Sequence, residues 1–149
     1  GRPSSPIHVT YSGYTDAPKT ALYPFGIGLS YTSFEYKNLK LNKNSIPYNG
    51  EIQATVEVSN TGSRDGEEVI QLYIRDLIGS LTRPIKELKG FQKIMIKAGE
   101  TKTVQFTINA EMLQFYTVNK KWEVEPGDFN VWIGGDSRTS LKQFFTVSE

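Results

Sequence analysis

The sequence contains no cysteine and a single histidine, His8. Without cysteine there are no disulfides, no thiolate metal sites and no cysteine nucleophile, and a lone imidazole cannot serve as both metal ligand and base. The lack of cysteine does not fix the compartment, because many exported proteins also do without it. No apolar run approaches the roughly 20 residues of a membrane helix, and the N-terminus is not a basic segment followed by an apolar one. Net charge is also small: 17 Lys and Arg oppose 16 Asp and Glu, a formal net charge of +1. A nearly neutral surface has no field to gather a polyanion or an anionic bilayer, so neither nucleic acid nor membrane is an expected partner. There is no glycine-rich phosphate loop and no G-x-S-x-G elbow, and no cofactor is expected.

What the 149 residues do contain is strand. The length suits one domain, which buries roughly 68–70% of its unfolded surface without a covalent staple. Phe34, Tyr36, Leu39 and Leu41 suggest a first strand with an irregularity near Asn38. Asn42 to Gly50 reads as turn. Ile52, Ala54, Val56 and Val58 alternate with polar residues, the pattern of a strand with one wet face. Val69 to Arg75 carries apolar residues on both faces, as a central or doubly covered strand does. Ile85 to Lys97 is one bent strand or two short ones around Gly90, and Val104, Phe106 and Ile108 mark another one-sided strand. Ala110 to Phe115 holds the only plausible helical turn. Phe115 to Val118 and Lys121 to Val124 flank a hairpin turn, Phe129 to Ile133 alternates again, and Leu141 to Val147 is the last strand. Short strands, frequent turns and almost no helix predict an all-β, antiparallel two-sheet sandwich. With no cysteine bridge, packing of the fibronectin type III-like kind suits it better than the antibody kind.

Before the first strand the character changes. Gly1 to Ala21 is polar and proline-containing, too poor in large aliphatics for a core, and reads as a tether in which His8 is an ordinary residue. It leads into Leu22-Tyr23-Pro24-Phe25-Gly26-Ile27-Gly28-Leu29-Ser30-Tyr31-Thr32-Ser33-Phe34. Pro24, Gly26 and Gly28 disfavour an extended sheet run, yet Tyr23, Phe25, Leu29, Tyr31 and Phe34 require burial. This stretch is therefore expected to be a clasp laid on an apolar surface, part of which belongs to another domain. Residues 1–33 are accordingly assigned to tether and clasp, and 34–149 to the sandwich.

The run YPFGIGLSYTSFEY resembles the junction before the C-terminal fibronectin type III-like domain of glycoside hydrolase family 3, the β-glucosidase and β-xylosidase enzymes. Further matches follow in order: Ser59-Asn60-Thr61-Gly62, Gly66 to Tyr73, Arg83 to Phe91, and Phe129 to Gly134. The resemblance implies an accessory module whose partners are the upstream catalytic domains of the same polypeptide, in a periplasmic or secreted enzyme. The family's nucleophile and acid/base lie in those upstream domains, so no catalytic residue is carried over to this chain.

The residues themselves point the same way. Glycoside hydrolysis generally needs two carboxyl groups about 5–10 Å apart. The available acids, Asp65, Glu67 and Glu68, then Glu123 and Glu125, then Asp128 and Asp136, all lie in polar turn-forming sequence, and the first three lack the spacing of a calcium loop. No metal site is expected. The rival to a scaffold is a carbohydrate-binding module holding the enzyme on a polysaccharide, which needs exposed rings for sugars to stack on. Trp132, opposite in phase to Val131 and Ile133, and the hairpin pair Trp122 and Tyr116 are the candidate sugar platform. The plainer reading of each is packing under a loop or against a neighbouring domain.

Overall fold

The protein is described by a computed structural model over residues 23–77, 85–117 and 120–148. The expected tether, with His8, lies outside the described residues, as do residues 78–84 and 118–119.

β1 (Phe34–Leu41) shows how pattern dictates geometry. An unbroken strand would alternate Phe34, Tyr36, Asn38 and Lys40 onto one face, turning Leu39 and Leu41 outward. The register against β3 (Glu51–Asn60) instead shifts between Lys37 and Lys40, so that Tyr36 faces Val58 and Leu41 faces Ala54. One extra residue converts the parity and brings Leu39 and Leu41 to the core side. Asn38 absorbs the irregularity with a φ of 55°, a conformation that asparagine tolerates, and its amide donates to Glu57 Oε2 at 2.8 Å.

β3 also pairs with β6 (Thr101–Asn109), completing a three-stranded antiparallel sheet ordered β1-β3-β6. The second sheet has five strands. It contains β2 (Ser45–Pro47), β4 (Gly66–Asp76), β5 (Glu87–Ile96), β9 (Gly127–Gly134) and β10 (Lys142–Ser148), in the order β2-β10-β9-β4-β5. β4 lies between two neighbours, as its two-sided apolar pattern requires. β5 is one strand bent by a register shift opposite Leu72 and Tyr73, where Lys89 is the extra residue beside Gly90. The helical turn α1 (Ala110–Leu113) is capped by Asn109, whose side chain accepts from the Met112 N–H at 3.2 Å. It leads into the hairpin of β7 (Phe115–Tyr116) and β8 (Trp122–Glu123).

One element departs from expectation. Asn42 to Gly50 is not turn throughout, because Ser45, Ile46 and Pro47 form β2, paired in parallel with Thr146, Val147 and Ser148. Three residues are too few to show a period, and their partner lies about a hundred positions away. An edge place is also the one that Pro47 permits.

The inner faces meet in a single apolar cluster drawn from both sheets, including Ile52, Val56 and Ile108 from one and Ile70, Leu72, Val131 and Phe145 from the other. At the end of the sandwich nearest the clasp sits Asn60, fully buried and polar. Its Nδ2 donates to the carbonyls of Arg64 (2.8 Å) and Ile96 (2.9 Å), while its Oδ1 accepts from Thr32 Oγ1 (2.7 Å) and the Gly62 N–H (3.1 Å).

Candidate functional site: the clasp and its groove

The clasp begins with a turn from Pro24 to Ile27, closed by the Ile27 N–H on the Pro24 carbonyl at 3.3 Å. Gly26 occupies its third position with a φ of 83°, where type II turns call for glycine. Contact imposes the same choice, since a Cβ at Gly26 would lie 2.1 Å from Gln71 Oε1 and 2.7 Å from the Tyr73 hydroxyl. Only a residue without a side chain lets the backbone approach the outer face of β4 this closely.

Gln71 fastens that approach. Its Nε2 donates to the Gly26 carbonyl at 2.9 Å and to the Gly135 carbonyl at 2.6 Å, and its Oε1 accepts from the Tyr73 hydroxyl at 2.5 Å. The Ser137 N–H donates to the Phe25 carbonyl at 2.9 Å. At the other end, the Ser33 carbonyl accepts from the Thr61 N–H at 2.8 Å, and Thr32 reaches Asn60. The clasp main chain is thus tied at both ends to the sandwich.

Its side chains are not. Leu29 is 101% exposed and Tyr31 95%, and Tyr23, Phe25 and Ile27 are also exposed; Phe34 alone of the clasp aromatics packs partly against the core. Pinning of the backbone with presentation of the rings is the reverse of what a segment sealing its own domain would show.

Beneath residues 26–30 runs a groove of about 830 Å³, floored by Tyr36, Glu68, Val69 and Gly135 and rimmed by Asp136 and Arg138. The Tyr36 hydroxyl donates to Glu68 Oε1 at 2.5 Å. Burial, then the neighbouring Glu68 carboxylate, pushes the Tyr36 phenol up; burial likewise holds Glu68 above its ordinary value. The hydrogen bond from Arg138 (2.9 Å) holds Asp136 below its ordinary value. Because the folded Glu68 pKa is the higher one, Glu68 favours folding below its unfolded value near 4.5 and that contribution is lost as pH rises through the folded pKa. We expect Glu68→Gln, which still accepts from Tyr36, to melt slightly above the unaltered chain at pH 7 and level with it at pH 4. Melting curves at the two pH values check this, and a variant less stable at pH 7 would show that the carboxylate is favoured after all.

Three of the other acids are in structural contacts. Glu67 pairs with Lys93 at 2.6 Å, Asp65 accepts from the Ala98 N–H at 2.8 Å, and Asp128 accepts from Thr146 at 2.7 Å. Among the described residues there is no group of three or more His, Cys, Asp or Glu placed to hold a metal ion.

The aromatic candidates separate. Trp132 lies on the outer face as its phase predicts, but it is only 8% exposed, with the Lys86 ammonium 4.9 Å from its ring centre. Lys86 is held there by donating to the Ser137 carbonyl (2.9 Å) and the Thr139 carbonyl (2.6 Å), and burial lowers its pKa. No open ring face remains for a sugar. Trp122 and Tyr116 are both exposed and meet edge to face, 5.7 Å apart at 63°. The fold brings this pair together and keeps it apart from Trp132. Gln71 and Asn60 were not among the sequence candidates. Both fall within stretches that carry the family resemblance, Asn60 in Ser59 to Gly62 and Gln71 in Gly66 to Tyr73, but nothing in the pattern tells what either side chain holds.

Residues 68–137 match the fibronectin type III-like domain family. The chain carries a fibronectin type III-like domain. It is 48% identical over 139 residues to a periplasmic beta-glucosidase of Salmonella typhimurium, covering 92% of this chain and 18% of that protein. It is 46% identical over 125 residues to a beta-xylosidase of Formosa agariphila, covering 84% of this chain and 17% of that protein. The domain superposes with a TM-score of 0.86 on a beta-glucosidase from Listeria innocua solved with gluconolactone, at 36% identity, covering 100% of this chain and 21% of that one. The domain therefore spans about a fifth of the length of the proteins it matches, as expected of the module that family 3 glycoside hydrolases carry.

Proposed function

We propose that this domain is a non-catalytic accessory C-terminal domain of a β-glucosidase-like glycoside hydrolase, packing on and stabilising the upstream catalytic domains. The observation that carries the reading is the clasp, whose main chain is latched to β4 while Phe25, Leu29 and Tyr31 stand in solvent. A larger polypeptide supplies the surface for them, and tethering in one chain makes docking effectively intramolecular. The parent acts in the periplasm or outside the cell, as the name of the Salmonella relative suggests.

Phe25→Ala and Tyr31→Ala, made in the full-length parent, test the reading. Interface aromatics cost more than about 1 kcal/mol each on truncation, and in a parent about five times the length of this domain each such loss lowers the melting temperature by roughly 1 °C, with little change in KM. Unchanged melting with weakened substrate binding would overturn it. The carbohydrate-binding alternative has one observation in its favour, the exposed pair Trp122 and Tyr116. Retardation of the domain in a β-glucan or xylan gel, abolished by Trp122→Ala, would put that alternative in its place.

A further inference from the structure

The outer faces of the two sheets are unlike. On the three-stranded sheet the outward residues of β3 and β6 include Gln53, Thr55, Glu57, Thr103, Gln105 and Thr107, with no large apolar side chain among them. This is a face made for water. On the five-stranded sheet, β4 and β5 turn Val69, Phe91 and Met95 outward, and Phe91 is 67% exposed. Phe91 lies opposite Gln71 and Met95 opposite Glu67, which places Val69 diagonally between the two. Together they form an apolar strip along the sheet edge, crossed by the Lys93 to Glu67 ion pair.

This strip is continuous with the clasp, since Val69 lines the same groove as Ile27 and Leu29. Strand addition is not its use. Lys102 Nζ donates to the Met95 carbonyl of β5 at 2.7 Å and Gln92 Nε2 to the Gln105 carbonyl of β6 at 2.6 Å, so side chains already occupy acceptors on both facing edges, which disfavours an incoming strand there. What remains open is the face.

We infer that the strip formed by Val69, Phe91 and Met95 is the second half of a single docking face, covered together with the clasp by the upstream domains of the same polypeptide. The occupant is argued from length and continuity: relatives carry this domain as 18% of a longer chain, and the strip adjoins the segment that leads in from the rest of it. The inference rests on the scaffold reading, and its test separates the two. It predicts an aromatic and aliphatic counter-surface in the parent, with the polar sheet left in solvent.

Hydroxyl-radical footprinting of the full-length parent reads each side chain separately, with exposed Trp122 as the internal reference. Phe91 and Met95 are expected to oxidise about ten-fold more slowly than their intrinsic reactivity relative to Trp122, as buried interface cores do. Protection should be the same at high and low protein concentration. Protection of Phe25 and Tyr31 without Phe91 and Met95 would overturn this inference and leave the clasp reading standing, whereas protection of none of the four would overturn both. Protection of Phe91 and Met95 that disappears on dilution would assign the strip to a second copy instead.

Discussion

Asn60→Ala is expected to destabilise the domain by about 2–4 kcal/mol, far more than a small polar residue in a turn would ordinarily cost. The amide is fully buried and makes every kind of bond it can: two donated, to Arg64 O and Ile96 O, and two accepted, from Thr32 Oγ1 and the Gly62 N–H. Its backbone is engaged as well, donating to the Glu100 carbonyl at 2.9 Å and accepting from the Gly99 N–H at 3.0 Å. Alanine leaves the buried Ile96 carbonyl without this donor, and that orphaned group is the main cost, because a net hydrogen bond is worth only about 1 kcal/mol. Thr32 also loses its acceptor, so the distal end of the clasp loosens in the same variant. Urea unfolding followed by tryptophan fluorescence measures the loss, and a value under about 0.5 kcal/mol would mean that water replaces the amide. Asn60→Asp separates donors from acceptors. The carboxylate still accepts, but one oxygen now faces two carbonyls, so the folded state favours the protonated acid and raises its pKa. Its deficit against the unaltered chain is therefore smallest near pH 4 and grows as pH rises.

Most of the sandwich could be read from local pattern, because a strand with one wet face writes its orientation every second residue. Ile52 to Val58 and Val104 to Ile108 did so without interruption, and the two strands pair side by side. Even the irregularity of β1 was legible, since Phe34 and Tyr36 are out of phase with Leu39 and Leu41 and only an inserted residue reconciles them. What could not be read depends on distant partners. β2 exists because Thr146 to Ser148 lies beside it, and nothing in Ser45 to Pro47 announces that. Trp132 is shut in because Lys86, from the approach to β5, lies across its ring. Its outward phase was legible, but the cover was not. The clasp was legible as an irregular apolar segment, yet that its backbone would be tied down and its side chains presented follows from Gln71, whose position on β4 reveals nothing until Gly26 is placed above it.

Phe145→Ala should remove about 3–5 kcal/mol, and Phe144→Ala, one residue earlier on the same strand, should stay within about 0.5 kcal/mol. The two are chemically identical and differ only in the face to which β10 turns them. Phe145 is fully buried and stacks on Phe129, directly opposite on β9, with ring centres 5.4 Å apart and planes at 15°. Phe144 faces outward opposite Asn130 and is largely exposed. Truncating Phe145 loses the transfer energy of the ring, its stacking on Phe129, and the contacts of every wall atom around the cavity left behind. Strands on both sides of β10 limit collapse into that space, because β9 and β2 are each hydrogen-bonded to it. For a domain of about this size the loss corresponds to a fall of roughly 6–20 °C in melting temperature, against a degree or two for Phe144. Equal losses at the two positions would mean that the outer face of β10 is covered as completely as the inner one. In the full-length parent Phe144 becomes informative in its own right, since a cost that appears only there would extend the docking face across the sheet to β10.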